Sequence, residues 1–177
     1  MSEYVVLSGI GPDRPGIARA ISQAAYEAGC SIEDSRMAVL GGEFAILVLV
    51  QGDNKQIRDL SGKLPGLEKE TGLSLSARPT SSAAEYKVEK GVPFHLQVVG
   101  MDRTGIVFRV TELLARHGIN IESLETDAYN APVAGTPMFR LSLDVEIPGQ
   151  VQVRGIRKEL AALCDELNMD FSMEARG

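Results

Sequence analysis

Cysteine is scarce in this chain. Cys30 and Cys164 are far apart and form no CxxC pair, so neither a disulfide framework nor a zinc site is signalled, and both are expected to be buried thiols. Histidine is equally sparse: neither His95 nor His117 has companions at metal-ligand spacing or a nucleophile beside it. No apolar run approaches the ~20 residues of a membrane span, and the opening Met1-Ser2-Glu3-Tyr4 lacks a basic segment. A soluble, cytoplasmic protein is the expectation. Positive charge is in deficit, with 18 Lys and Arg against 24 Asp and Glu, a net −6 and a pI near 5.0. Such a surface repels a phosphate backbone, which argues against direct nucleic-acid binding, so any role in gene regulation has to pass through a protein partner. There is no nucleophile elbow, Walker loop or GxGxxG after a strand. No metal, cofactor or catalytic residue is predicted.

What is present is a repeat. Gly11-Pro12-Asp13-Arg14-Pro15-Gly16-Ile17 aligns with Gly100-Met101-Asp102-Arg103-Thr104-Gly105-Ile106 at a constant offset, 102 − 13 = 89. The offset persists downstream, where Gly29-Cys30-Ser31-Ile32-Glu33 falls on Gly118-Ile119-Asn120-Ile121-Glu122. With 44% hydrophobic residues in 177, each copy can hold a core of its own. Residues 1–78 and 93–177 are therefore predicted to be two domains of one kind, joined by a Ser-, Ala- and charge-rich linker over 79–92.

Periodicity supplies the elements. Val5 and Leu7, then Phe94, Leu96 and Val98, mark a first strand in each copy. Ile17, Ala20, Ile21, Ala24 and Ala25, then Ile106, Val110, Leu113 and Leu114, have the spacing of a helix lying on a sheet. Gly29 and Gly118 fall where those helices should stop in a left-handed cap. Third strands follow at Phe44 to Val50, apolar throughout, and at Phe139 to Val145, which alternates with Arg140, Ser142 and Asp144. The outer face of the first is expected to need cover from the other domain copy of the chain or from another subunit, and a homo-oligomer is the expectation. Second helices carry Ile57, Leu60 and Leu64, with an Asp53/Gln56 capping box, and Ile156, Leu160, Leu163 and Leu167. Last strands hold Leu73, Leu75 and Ala77, then Met169, Phe171 and Met173. The predicted class is α+β: two tandem ferredoxin-like βαββαβ units, each an antiparallel four-stranded sheet with both helices on one face. Six extra residues separate second and third strands in the second copy, within Tyr129 to Pro137.

The sharpest chemical signal is the loop between first strand and first helix. Gly11 and Gly100 allow a tight turn, Pro15 pre-sets the first helical turn, and Asp13 or Asp102 is placed to accept the orphan amides there. Gly16 and Gly105 clear space for an approaching surface or ligand. Free amides at a helix start attract a carboxylate, and a nearby aspartate suits an ammonium group; an amino acid carries both charges. The alternative is that the aspartates only cap the helices. Asn120 and its counterpart Ser31, at the start of the second strand, either present a polar group to a ligand beside the loop or satisfy local backbone. Arg14 and Arg103 are either solvated or anion-binding. His95 is predicted to face away from the helices.

The Asp-Arg-Pro-Gly-Ile loop, with Gly-Ile-Asn-Ile-Glu after the helix, resembles the ACT domain, the module that binds amino acids in allosteric enzymes and regulators. Both copies match. The tandem pair without a catalytic domain, together with Ala131-Pro132, Ala134 to Phe139 and Cys164 to Asn168 in the second copy, is similar to a group of ACT repressors. That resemblance implies a glycine-responsive transcriptional repressor with no DNA-binding domain of its own, acting through a LysR-type activator. It also implies a ligand at an interface between two domains, at Gly11, Asp13, Arg14, Gly16 and Ser31, with Gly100, Asp102, Arg103, Gly105 and Asn120. Ser31 stands where the family has asparagine and Thr104 where it has proline. The competing readings are a generic ACT-type allosteric subunit, a small-metabolite enzyme using Asp13 or Asp102 as base, and an RNA reader of the same topology. The last lacks its aromatic, basic central strand.

Overall fold

Strands and helices alternate along the chain in two matching sets. A computed structural model describes residues 2–82, 91–132 and 135–176. The first set is β1 (Glu3–Pro12), α1 (Ile17–Glu27), β2 (Ser31–Leu40), β3 (Glu43–Gly52), α2 (Asn54–Thr71) and β4 (Ser74–Thr80). The second is β5 (Val92–Met101), α3 (Ile106–Arg116), β6 (Asn120–Asn130), β7 (Pro137–Ile147), α4 (Val153–Leu167) and β8 (Met169–Ala175). Each set forms its own compact unit. The sheets have the orders β2-β3-β1-β4 and β6-β7-β5-β8, antiparallel at every pairing. Pro79 and Thr80, which the sequence pattern assigned to the linker, lie in β4. Proline is tolerated there because β4 is an edge strand and needs no amide on its outer side.

One sheet face in each unit carries the core. Val5, Leu7, Phe44, Ile46, Val48 and Val50 pack with Ile17, Ile21, Ile57 and Leu60 in the first. Phe94, Leu96, Val98, Leu141, Leu143 and Val145 pack with Ile106, Val110, Ile156 and Leu160 in the second. Both helices therefore lie on the face that strand alternation made apolar. The repeated Ile-Glu pair after each first helix has a backbone cause: the β2–β3 register slips between Ile32 and Asp34 and the β6–β7 register between Ile121 and Ser123, so Glu33 and Glu122 are the extra residues of matching β-bulges. The six-residue difference falls at the hairpin, a two-glycine turn at Gly41-Gly42 with φ of 60° and 88° in the first unit and a longer loop in the second.

Helix ends follow local chemistry. Gly29 and Gly118 have φ of 74° and 64°, the left-handed stop their positions predicted. Asp53 accepts from the Lys55 and Gln56 amides at 2.8 Å each, while the Gln56 side chain accepts from the Asp53 amide at 2.7 Å, a complete capping box. The Gln56 and Lys55 amides hold the Asp53 carboxyl below the usual carboxylate range. A carboxylate depressed in this way adds stability that is present above its unfolded pKa and is lost as pH falls through the folded value. Asp53→Ala is thus expected to lower the thermal midpoint at pH 7, and the gap between variant and wild type should close on acidification below about pH 4 in paired melts. Within α2, a Cβ at Gly62 would meet nothing within 4 Å. Gly62→Ala is expected to stabilise by about 0.5–1 kcal/mol, read as a raised thermal midpoint.

Candidate functional site

The loop from Asp13 to Gly16 and its duplicate from Asp102 to Gly105 are exposed. Gly16 and Gly105 are the N-caps of α1 and α3, with φ of 96° and 95° and no side-chain cap on either helix. Asp13 and Asp102 therefore do not cap; their own amides reach the hairpins instead, donating to the carbonyls of Gly42 at 2.9 Å and Pro137 at 3.2 Å. The first amides of α1 and α3, which have no intrahelical acceptor, are left without a side-chain partner among the described residues. Pro15 precedes the N-cap rather than sitting in the first helical turn.

Gly11 and Gly100 also differ from expectation. Both lie inside strands, without positive φ, and their lack of a side chain serves close packing: a Cβ on Gly11 would sit 2.7 Å from the Gly72 carbonyl oxygen, and one on Gly100 2.7 Å from Met169 Cγ.

The two arginines have different fates. Arg14 is exposed, yet its Nη2 donates to the Thr71 carbonyl at 2.7 Å, at the end of α2. Gly72 gives it that seat, since a Cβ there would lie 3.1 Å from Arg14 Cζ and closer still to Nη2. In the second unit Asn168 occupies the matching left-handed cap after α4, and Arg103 makes no hydrogen bond or ion pair among the described residues. A cleft of about 210 Å³ lies beside the first loop, between Arg14, Gly16, Arg19 and Glu70, and one of about 140 Å³ lies beside Asp102, against Tyr129, Asn130 and Pro137.

Ser31 and Asn120 do not join these loops within a unit. Register pairs Pro12 with Glu43 but Ser31 with Gln51, and Met101 with Met138 but Asn120 with Glu146. Eight residues of strand, roughly 27 Å, separate them. The first helix in each unit carries the chain back along the sheet, so the second strand starts at the end opposite the loop. No amino-acid-sized ligand touches both positions of a single unit.

His95 lies on the outer face of β5, as its place in the strand predicted. Its Nδ1 is 2.9 Å from Asp144 Oδ1, while Ser123 Oγ donates to Asp144 Oδ2 at 2.9 Å and Arg176 Nη1 lies 2.8 Å from the same oxygen. The His95 contact, then Ser123 and Arg176, holds the Asp144 carboxyl below its ordinary range. Because Ser123 turns to the carboxylate rather than to the imidazole, the three groups lack the nucleophile–base contact of covalent catalysis. His117 Nε2 lies 3.0 Å from Glu159. Cys164 is buried and its thiol pushed up to about 11, chiefly by burial, whereas Cys30 is half-buried. Among the described residues no three or more His, Cys, Asp or Glu are placed to hold a metal, and no helix is long and apolar enough to cross a membrane.

A βαββαβ sheet with this loop, present twice, defines a tandem regulatory-domain architecture, and the ACT domain family matches residues 3–78 and 94–165. The chain belongs to the ACT domain family. It is 29% identical over 170 residues to the glycine cleavage system transcriptional repressor of Escherichia coli (strain K12), covering 96% of this chain and 88% of that protein, and equally similar to the Shigella flexneri protein of the same name. An unknown protein from Galdieria sulphuraria superposes over 100% of both chains with a TM-score of 0.82 and 32% identity. A crystal structure described as a candidate glycine cleavage system transcriptional repressor superposes with a TM-score of 0.73 and 25% identity, covering 99% of this chain and 98% of that one.

Proposed function

We propose that this chain is an amino-acid-responsive regulator that represses transcription through a protein partner, a LysR-type activator, with glycine as the first ligand to test. The observation that carries the reading is the start of α3, which has no side-chain cap and follows directly on the exposed Asp102 and Arg103, the latter without a hydrogen bond or ion pair among the described residues. Amides and guanidinium suit a carboxylate, and Asp102 suits the ammonium group of the same zwitterion. The near full-length similarity to a transcriptional repressor supports the regulatory part, and the net charge of −6 supports action through a protein rather than on DNA directly. Ligand binding transmits only if it favours one arrangement of the protein over another.

Calorimetric titration of the full chain with glycine and a panel of amino acids is the first test, followed by capture of a LysR-type activator with and without the best ligand. Saturable heat with one member, and a changed yield of activator in its presence, is the expected result. Folded protein that takes up no amino acid would remove the sensing role. Binding of an amino acid with no effect on any activator would turn the reading toward an allosteric subunit of a metabolic enzyme.

A further inference from the structure

The duplicated fold supplies its own control for one surface. On the sheet face turned away from the helices, the first unit presents Val6 and Ile10 on β1 and Ala45, Leu47 and Leu49 on β3, with Ala38 of β2 opposite Ala45. Ile10 is 58% and Leu47 51% exposed. At the matching places of the second unit stand His95 for Val6, Asp127 for Ala38, Arg140 for Ala45, Ser142 for Leu47 and Asp144 for Leu49. The second unit sets charge on the central strands of this face where the first sets apolar side chains and keeps its charges toward the outer strands, Asp34 and Arg36 on β2 and Arg78 on β4, so folding does not require the apolar centre. A surface that is apolar without need implies a cover.

We infer that the cover is the same face of a second copy of this chain, packed sheet on sheet. The face spans four strands about 4.8 Å apart and up to ten residues long, roughly 600 Å² in plan before side-chain relief, against the ~800 Å² per partner of a standard stable interface. Its margins are charge-balanced: Arg78 on β4 is opposed by Asp34 and Glu43 on the other side, where Asp34 also pairs with Arg36. A two-fold axis parallel to the strands lays the β4 margin of one copy over the β2 margin of the other, bringing Arg78 toward Asp34 twice.

Sedimentation of the full chain tests this. Wild type is expected to be a dimer, and Leu47→Ser with Leu49→Asp, which installs what the duplicate carries, is expected to weaken dimerisation at least about tenfold with unchanged circular dichroism. Should that double variant fail to fold, Arg78→Glu, exposed and outside the core, is expected to weaken the dimer, and addition of Asp34→Arg to restore it. A monomeric wild type at about 100 μM overturns the inference, the face then belonging to a different protein. So does a dimer indifferent to both sets of substitutions, whose contact must lie elsewhere.

Discussion

Gly11→Ala is expected to cost the first unit about 2 kcal/mol, measured by denaturant unfolding of the full chain. Intrinsic preference points the other way, since alanine loses less conformational freedom than glycine in a strand. Space decides the sign. The new Cβ would lie 2.7 Å from the Gly72 carbonyl oxygen and 3.1 Å from Leu73 Cα, and neither atom can rotate aside. Relief requires β1 to separate from the turn between α2 and β4. That turn also seats Arg14 through the Thr71 carbonyl, so the loop beside it should lose order together with the strand. Gly100→Ala is expected to be milder, because its closest clash, 2.7 Å, is with the side-chain atom Met169 Cγ rather than with a carbonyl oxygen, the nearest backbone atom being Met169 Cα at 3.1 Å. Equal costs at the two glycines would show that the backbone contact at Gly72 is not what sets the penalty.

These glycines also mark how far the sequence could be read. The constant offset between the copies, the helical stripes and the alternating strands were enough for both sheets, all four helices and the capping box, because each rests on local spacing. The repeated glycines in the loop looked like turn residues. Their neighbours, Gly72 and Met169, arrive from 61 and 69 residues further along the chain (72 − 11 and 169 − 100), and no local pattern encodes that approach. The placement of Ser31 and Asn120 was legible in principle. A helix of eleven residues runs about 16 Å back along the sheet, which puts the next strand's start at the far end. The bulged glutamates Glu33 and Glu122 stood out as part of a repeated motif, yet the motif's cause is strand pairing rather than ligand chemistry. Arg14 and Arg103 stand in the same Asp-Arg-x-Gly-Ile pattern, and the one local difference, Pro15 against Thr104, does not announce their different partners. Their difference is set by the caps after the second helices, glycine in one copy and asparagine in the other.

That difference yields the largest expected effect on ligand binding. With an amino acid held at the second loop as proposed, Arg103→Ala should raise its Kd at least about tenfold, since a charge-assisted hydrogen bond to a carboxylate contributes about 1.5–3 kcal/mol. Thermal stability should change little, because Arg103 is exposed and makes no hydrogen bond or ion pair among the described residues. Arg14→Ala should do the reverse. It removes a 2.7 Å bond to the end of α2, lowering stability by about 1 kcal/mol, and leaves the Kd within about twofold. Gly72→Asn connects the two cases. It copies the second unit's cap, its Cβ evicts the Arg14 guanidinium, and asparagine tolerates the left-handed backbone at φ 76°. A chain bearing it should gain a second unengaged arginine beside an uncapped helix start, and calorimetry should register a higher stoichiometry or a second weaker phase. If Arg14→Ala abolishes binding while Arg103→Ala does not, the ligand belongs to the first loop, and Arg14 leaves its seat at Thr71 to meet it.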